Sequence, residues 1–237
     1  MEHDHIVKSF DDDLGRIDAI VAQMGGLAER QLTDAVEALV KRDAELAQSV
    51  IDSDKQIDAL ETELDNFTIQ VLALRQPMAE DLRAVISALK IAANLERIGD
   101  YAKNVAKRTI TLSTMDTVGD AQVSVQRMGQ AVQLMIKNVL DAYAARDIAK
   151  ADDVRMRDEE VDMMHTSLFR ELLTYMVEDP HSITACTHLL FVAKNVERIG
   201  DHVTSIAENV HFLVCGEMPA DERPKSDLTS QTVVEEA

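Results

Sequence analysis

Asn94-Leu95-Glu96-Arg97-Ile98-Gly99-Asp100 returns as Asn195-Val196-Glu197-Arg198-Ile199-Gly200-Asp201, a shift of 101 positions (201 − 100). A chain that writes one acidic heptapeptide twice is built from a duplicated unit, and the fold follows from how far the duplication extends. Met24-Gly25 pairs with Met128-Gly129, Arg42-Asp43 with Arg146-Asp147, and Asp54/Asp58 with Asp158/Asp162, all at an offset of 104 (128 − 24). Pro77 against Pro180 gives 103 (180 − 77). The offset contracts by single-turn indels, as it should between two diverged copies.

Each copy reads as three helices. An amphipathic stretch runs from about Ile6 to Lys41, and a second carries Val50, Ile57, Leu60, Leu64, Phe67, Val71 and Leu74 along one seam. The second ends at Gln76-Pro77, because proline denies its predecessor an easy helical conformation. A third runs from about Ala79 to Ser113 with the stripe Ile91, Leu95, Ile98, Ala102 and Val105. Copy two repeats the order: about Ala121 to Ala145, then Asp147 to Glu178 with Val154, Val161, Met164, Leu168 and Tyr175, a stop at Asp179-Pro180, and about Ser182 to Val214. Short connections make sequential helices antiparallel, and about 30 residues span about 45 Å. The expected architecture is all-α: two tandem three-helix bundles, elongated, with six long helices packed up and down. The first repeat takes residues 1–113, a polar glycine-containing linker 114–120, and the second repeat 121–215. Residues 216–237, with two prolines and no apolar periodicity, are expected to form a disordered acidic tail.

Composition agrees. Aromatics at 3%, no Trp and only eight Gly favour helices over strands. A formal charge of −19 argues against nucleic acid and anionic lipid as partners, since both call for excess Lys and Arg. No signal segment and no apolar run of about 18 residues is visible, so neither secretion nor membrane spanning is expected. Cys186 and Cys215 lack zinc-site neighbours and read as two reduced thiols.

The heptapeptide places Glu96 and Asp100 on one helical face, and Glu197 and Asp201 likewise. If Pro77 marks a hairpin tip, Asp54 and Asp58 lie 23 and 19 positions before it (77 − 54 and 77 − 58), while Glu96 and Asp100 lie 19 and 23 after it (96 − 77 and 100 − 77). The two pairs should therefore stand level. Around Pro180, Asp158 and Asp162 lie 22 and 18 positions before (180 − 158 and 180 − 162) and Glu197 and Asp201 lie 17 and 21 after (197 − 180 and 201 − 180), level to within one residue. Four carboxylates then share a patch in each hairpin. At an effective dielectric of about 20, two unit charges about 4 Å apart repel by roughly 4 kcal/mol, which a multivalent cation would remove. Hard oxygen donors suit magnesium, manganese, calcium or iron, and several together favour a multinuclear site. His165 adds a possible nitrogen ligand where copy one has Glu61. Gly99 and Gly200 cost helix stability, which suggests close approach by a ligand or by a neighbouring helix. The plainer reading is a solvated acidic face with Arg97 and Arg198 in surface ion pairs. His3-Asp4-His5 resembles a metal pair at the terminus, and the methionines read as core filler. No phosphate loop, catalytic triad or activated nucleophile is visible, so no enzyme is expected.

His5-Ile6-Val7-Lys8-Ser9-Phe10, Met24-Gly25-Gly26-Leu27-Ala28-Glu29, Arg75-Gln76-Pro77 and the doubled Glu-Arg-Ile-Gly-Asp together resemble the PhoU family of bacterial phosphate-uptake regulators. The resemblance covers about His5 to Gly216. It implies a cytoplasmic homodimer that acts beside the high-affinity phosphate transporter and reaches the inner membrane only through partners. Those implied partners are the transporter ATPase subunit and a sensor histidine kinase, with uptake and the phosphate-starvation response restrained. It also implies divalent or trivalent metal ions, whether iron, zinc, magnesium or manganese, held by Asp54, Asp58, Glu96, Asp100, Asp158, Asp162, Glu197 and Asp201. Glu61 and His165 are auxiliary candidates. Two alternatives compete: a di-metal carboxylate enzyme or iron store, which needs Glu-x-x-His pairs projecting into a bundle interior, none of which is expected in this chain, and a metal-free helical adaptor.

Overall fold

A computed structural model describes residues 2–221 and 226–232, with side chains from Phe10 onward. The helices are α1 (Glu2–Lys41), α2 (Ala44–Ser53), α3 (Lys55–Arg75), α4 (Glu80–Leu112), α5 (Ala121–Ala145), α6 (Ile148–Glu178) and α7 (Ile183–Cys215). Short 3₁₀ turns lie at Pro180–Ser182 and Thr229–Gln231, and no strand occurs among the described residues. The all-α class expected from the sequence holds. None of the described helices is long and apolar enough to cross a membrane.

The duplicated Arg-Asp is the joint of each repeat. Arg42 and Arg146 take left-handed backbone conformations (φ 57° and 54°) and end α1 and α5. Asp43 and Asp147 then cap the next helix, Asp43 accepting from the Glu45 and Leu46 N–H groups and Asp147 from that of Lys150. A left-handed position ordinarily prefers Gly. Here the arginine side chains supply compensating bonds: Arg42 Nη2 donates to the carbonyls of Leu112, Ser113 and Met115, and Arg146 to Asp18. The proline stops act as expected, with Gln76 closing α3 in the left-handed region and Pro180 opening a 3₁₀ turn.

The seams are buried as read. Val50, Ile57, Leu64 and Val71 face the core of repeat one with Ile91, Leu95, Ile98, Ala102 and Val105, while Leu74 at the hairpin tip is exposed. Repeat two buries Val154, Val161 and Leu168.

The two repeats lie side by side, with α1 against α5 and α4 against α7. Both contacts are antiparallel. Asn94 bonds His202 at 2.8 Å, while Arg108, further along α4, meets His188, earlier on α7. An approximate twofold axis relates the repeats. Tyr101 and His202 correspond at the heptapeptide offset (202 − 101) and stack on each other, ring centroids 5.5 Å apart. On α1 and α5, Gly25 faces Leu140 and its counterpart Gly129 faces Val36, the counterpart of Leu140. A methyl group on Gly25 would come within 2.5 Å of Leu140 and one on Gly129 within 2.7 Å of Val36, so the doubled Met-Gly marks where the two repeats touch.

Two features differ from the sequence reading. The second helix of repeat one is not continuous but bends at Asp54 between α2 and α3. There the Asp54 carbonyl accepts from the N–H of Ile57 at 2.9 Å as well as from Asp58 at 3.3 Å, a locally tightened turn. The second feature is the tail. Residues 226–229 pack on α6 through hydrogen bonds and on α7 through an ion pair with Lys194, so this part of the expected disordered tail is ordered. Polar contacts anchor it, which apolar periodicity does not report. Residues 222–225 and 233–237 lie outside the described residues.

Candidate functional site

In repeat one the hairpin of α3 and α4 brings Asp54, Asp58, Glu61, Glu96 and Asp100 into one electrostatic neighbourhood. Asp54 is buried and lies over Gly99, where an added Cβ would stand 2.8 Å from Gln31 Oε1 and 3.4 Å from Asp54 Oδ1. The glycine inside the heptapeptide is thus a floor for the opposing carboxylate. Lys103 closes the patch, donating to Asp54 and, at 2.5 Å, to Asp100. Burial alone would lower the Lys103 pKa, but the bonds to Asp100 and Asp54 outweigh it and hold the ammonium above its ordinary value. The carboxyl of Glu96 is pushed up to about 7, first by burial and then by the charges of Asp100 and Glu61, against the pull of Arg97. Asp58, although exposed, is raised by partial desolvation and by Asp54, and Glu61 by burial and by Asp65 and Asp58.

Repeat two builds the same floor with different furniture. Asp158 lies 3.0 Å from where a Cβ on Gly200 would stand, and Asp158, Asp162, His165 and Glu197 are all buried. Thr204 replaces the lysine of repeat one (103 + 101). The cation comes instead from Lys194, whose ammonium binds Glu197 at 2.9 Å and Asp227 of the tail at 3.0 Å. Burial raises the Glu197 pKa, Lys194 lowers it, and Asp201 and Asp227 raise it again. His165 is pushed down by burial, partly opposed by Asp227. Asp162 accepts the Ser226 N–H at 2.9 Å. Asp201 lies near enough to Glu197 and His202 to raise both.

Sequence reasoning missed the two lysines and the tail. The lysines carry a weak local signal, since Lys103 and Lys194 stand three residues from Asp100 and Glu197 on the same helices. The donor set, hard carboxylates plus one imidazole, fits a divalent or trivalent cation chemically. Geometrically, no three His, Cys, Asp or Glu side chains among the described residues converge as a cation cage. Each patch has closed on its own ammonium. In the second patch Glu197 Oε2 and His165 Nδ1 are buried without a hydrogen bond.

The PhoU domain model matches residues 21–109 and again 125–210, one match in each repeat. The chain belongs to the PhoU family. A phosphate-specific transport system accessory protein PhoU homolog from Caulobacter vibrioides is 50% identical over 228 residues, covering 96% of this chain and 99% of that protein. Its counterpart from Rhizobium meliloti is 48% identical over 230 residues, 97% of each. The crystal structure of PhoU from Pseudomonas aeruginosa superimposes with a TM-score of 0.85 at 41% identity, covering 88% of this chain and all of that one (100%). That of the PhoU regulatory protein from Streptococcus pneumoniae gives 0.82 at 27% identity, over 89% and 99%.

Of the other candidate residues of this PhoU chain, Arg97 borders the first patch, within 4 Å of Glu96 and Asp100, whereas Arg198 lies over the Tyr101 ring at 5.7 Å. The spacing Glu-x-x-His occurs at Glu2/His5, Glu178/His181 and Glu208/His211. The first pair lies outside the described side chains, as does His3, and the second straddles the break at Pro180. In the third, Glu208 turns to Arg155 and His211 to the Glu217 carbonyl. None of the described pairs forms the interior motif of a di-metal bundle. Both cysteines are free thiols, Cys186 buried and Cys215 exposed.

Proposed function

We propose that this chain is a non-enzymatic regulator of phosphate uptake that restrains the high-affinity transporter and the phosphate-starvation two-component response. The observation that carries this reading is the near full-length similarity to phosphate-specific transport accessory proteins at half identity. Its partners are the transporter ATPase subunit and the sensor histidine kinase. It acts as a homodimer at the cytoplasmic face, attached to the membrane through those partners alone.

The two carboxylate patches hold metal ions in this reading. Asp54, Asp58, Glu96 and Asp100 supply the first set with Glu61 nearby, and Asp158, Asp162, Glu197 and Asp201 the second with His165. Three features support it: several carboxylates are buried, Glu96 is held near neutrality, and each patch recruits a cationic side chain in place of an ion. A bound cation supplies positive charge that removes carboxylate repulsion and fixes the hairpin face. Lys103 and Lys194 hold that role until they turn outward.

Deleting the gene is expected to raise phosphate uptake in phosphate-rich medium, with repression restored by the wild-type gene but not by Asp100→Ala/Asp201→Ala. Uptake that stays repressed in the deletion strain sinks the regulatory reading. Full complementation by the double variant would leave regulation intact and remove the carboxylate patches from it.

A further inference from the structure

The two carboxylate patches differ in what covers them. At corresponding positions Asp58 is exposed and Glu61 and Glu96 half-buried in repeat one, whereas Asp162, His165 and Glu197 are 4%, 3% and 5% exposed in repeat two. The added cover is the segment Ser226–Thr229. The Ser226 N–H donates to Asp162 Oδ2 at 2.9 Å and its hydroxyl to Glu159 at 2.9 Å. Asp227 accepts from Lys194 at 3.0 Å and lies 3.7 Å from His165 Nδ1. The Leu228 N–H donates to the Thr166 hydroxyl at 3.2 Å, and Thr229 folds back to donate twice to Asp227. Upstream, Arg155 holds the Asp221 carbonyl at 2.7 Å.

These contacts take up the bonding capacity that an incoming cation needs. Asp162 spends a lone pair on a backbone N–H, and Asp227 fixes the Lys194 ammonium against Glu197. Beneath this cover Glu197 Oε2 remains buried and unpartnered. Burial raises the carboxyl of Asp227, but the Thr229 and Lys194 bonds outweigh it and hold the group well below the usual carboxylate range, so the bridge to Lys194 is ionic throughout the neutral range.

We propose that Ser226–Thr229 is a strap that closes the second carboxylate patch and controls cation access to it, with Asp227 as the residue that positions Lys194 in the cation's place. The inference rests on the cation-binding reading of the patches. It makes the two patches unequal, the first closed by Lys103 alone and the second by Lys194 together with the chain's own tail. A gate and a bystander give opposite signs here. Removing an acidic side chain from an acidic site should by itself weaken cation binding, whereas removing a strap should tighten it.

The test uses the full chain with Asp100→Ala as background, so that Mn²⁺ binding reports on the second patch. In this background Asp227→Ala is expected to bind Mn²⁺ about tenfold tighter or more, with a free-energy change that ratio defines. Thr166→Val, which cuts the strap without touching a charge, should act in the same direction. By amide hydrogen exchange, residues 226–229 of the chelator-treated parent should be protected, and that protection should be lost in both variants and on adding Mn²⁺. Mn²⁺ affinity unchanged or weakened in both variants overturns the strap while leaving the cation reading standing. Absence of Mn²⁺ binding in the wild type and in every variant overturns both. Lack of protection at 226–229 in the parent overturns the strap alone.

Discussion

Replacing Lys103 with methionine is expected to lower the stability of the chelator-treated protein by about 3 kcal/mol at about pH 8, because removing one partner of a buried ion pair strands the other. The stranded groups are Asp54, whose side chain is 6% exposed, and Asp100 beside it. Methionine keeps most of the stem's apolar volume, so the loss isolates the charge. Mn²⁺ should then return the lost stability. A ligand bound only by the folded state adds about 2.7 kcal/mol at a hundredfold excess over its Kd, comparable to the loss. Denaturant midpoints with and without Mn²⁺ decide it. If Lys103→Met is as stable as the parent, or if Mn²⁺ stabilises the variant no more than the parent, the ammonium does not occupy the place of a cation.

Glu96→Gln is expected to stabilise the chelator-treated protein at about pH 8 and to leave it unchanged at about pH 4. The Glu96 carboxyl has an ordinary value of 4.5 and is raised to about 7 in the fold. The fold therefore favours its protonated form, so the stabilisation is fully present below pH 4.5 and is lost as pH rises through 7. At about 1.4 kcal/mol per pH unit, discounted for partial exposure, ionising Glu96 costs about 2 kcal/mol at alkaline pH, and glutamine avoids that cost. Denaturant titrations of both proteins at the two pH values measure it. An equal shift at both, or a loss at pH 8, would show that Glu96 is not held against Asp100 and Glu61 as described.

What was legible in the sequence was local or duplicated. The seams, the stops at Pro77 and Pro180 and the doubled heptapeptide all repeat at helical or copy spacing, so six helices and level carboxylate pairs could be read from one chain. The doubled Met-Gly and Arg-Asp were visible as pairs but not as contacts: Gly25 and Gly129 mark the seat between the repeats, and Arg42 and Arg146 the left-handed joints. The rest depends on non-local geometry. The bend at Asp54 comes from a backbone turn that no side-chain pattern announces. Thr204 where repeat one has Lys103 gave no hint that Lys194 would supply the charge, since it does so jointly with Asp227, 33 residues away. A tail without apolar periodicity gives no sequence signal of order, yet its anchors are the Ser226 N–H on Asp162 and the Asp227–Lys194 ion pair.

The central claim is that each hairpin face is a cation site built from carboxylates of two helices. Metal analysis of the protein, purified without chelator or affinity-tag nickel, tests this most directly in parallel with Asp100→Ala/Asp201→Ala. The account predicts metal bound to the wild type and lost from the folded double variant. Equal metal content in the two proteins, or none in either, would contradict it.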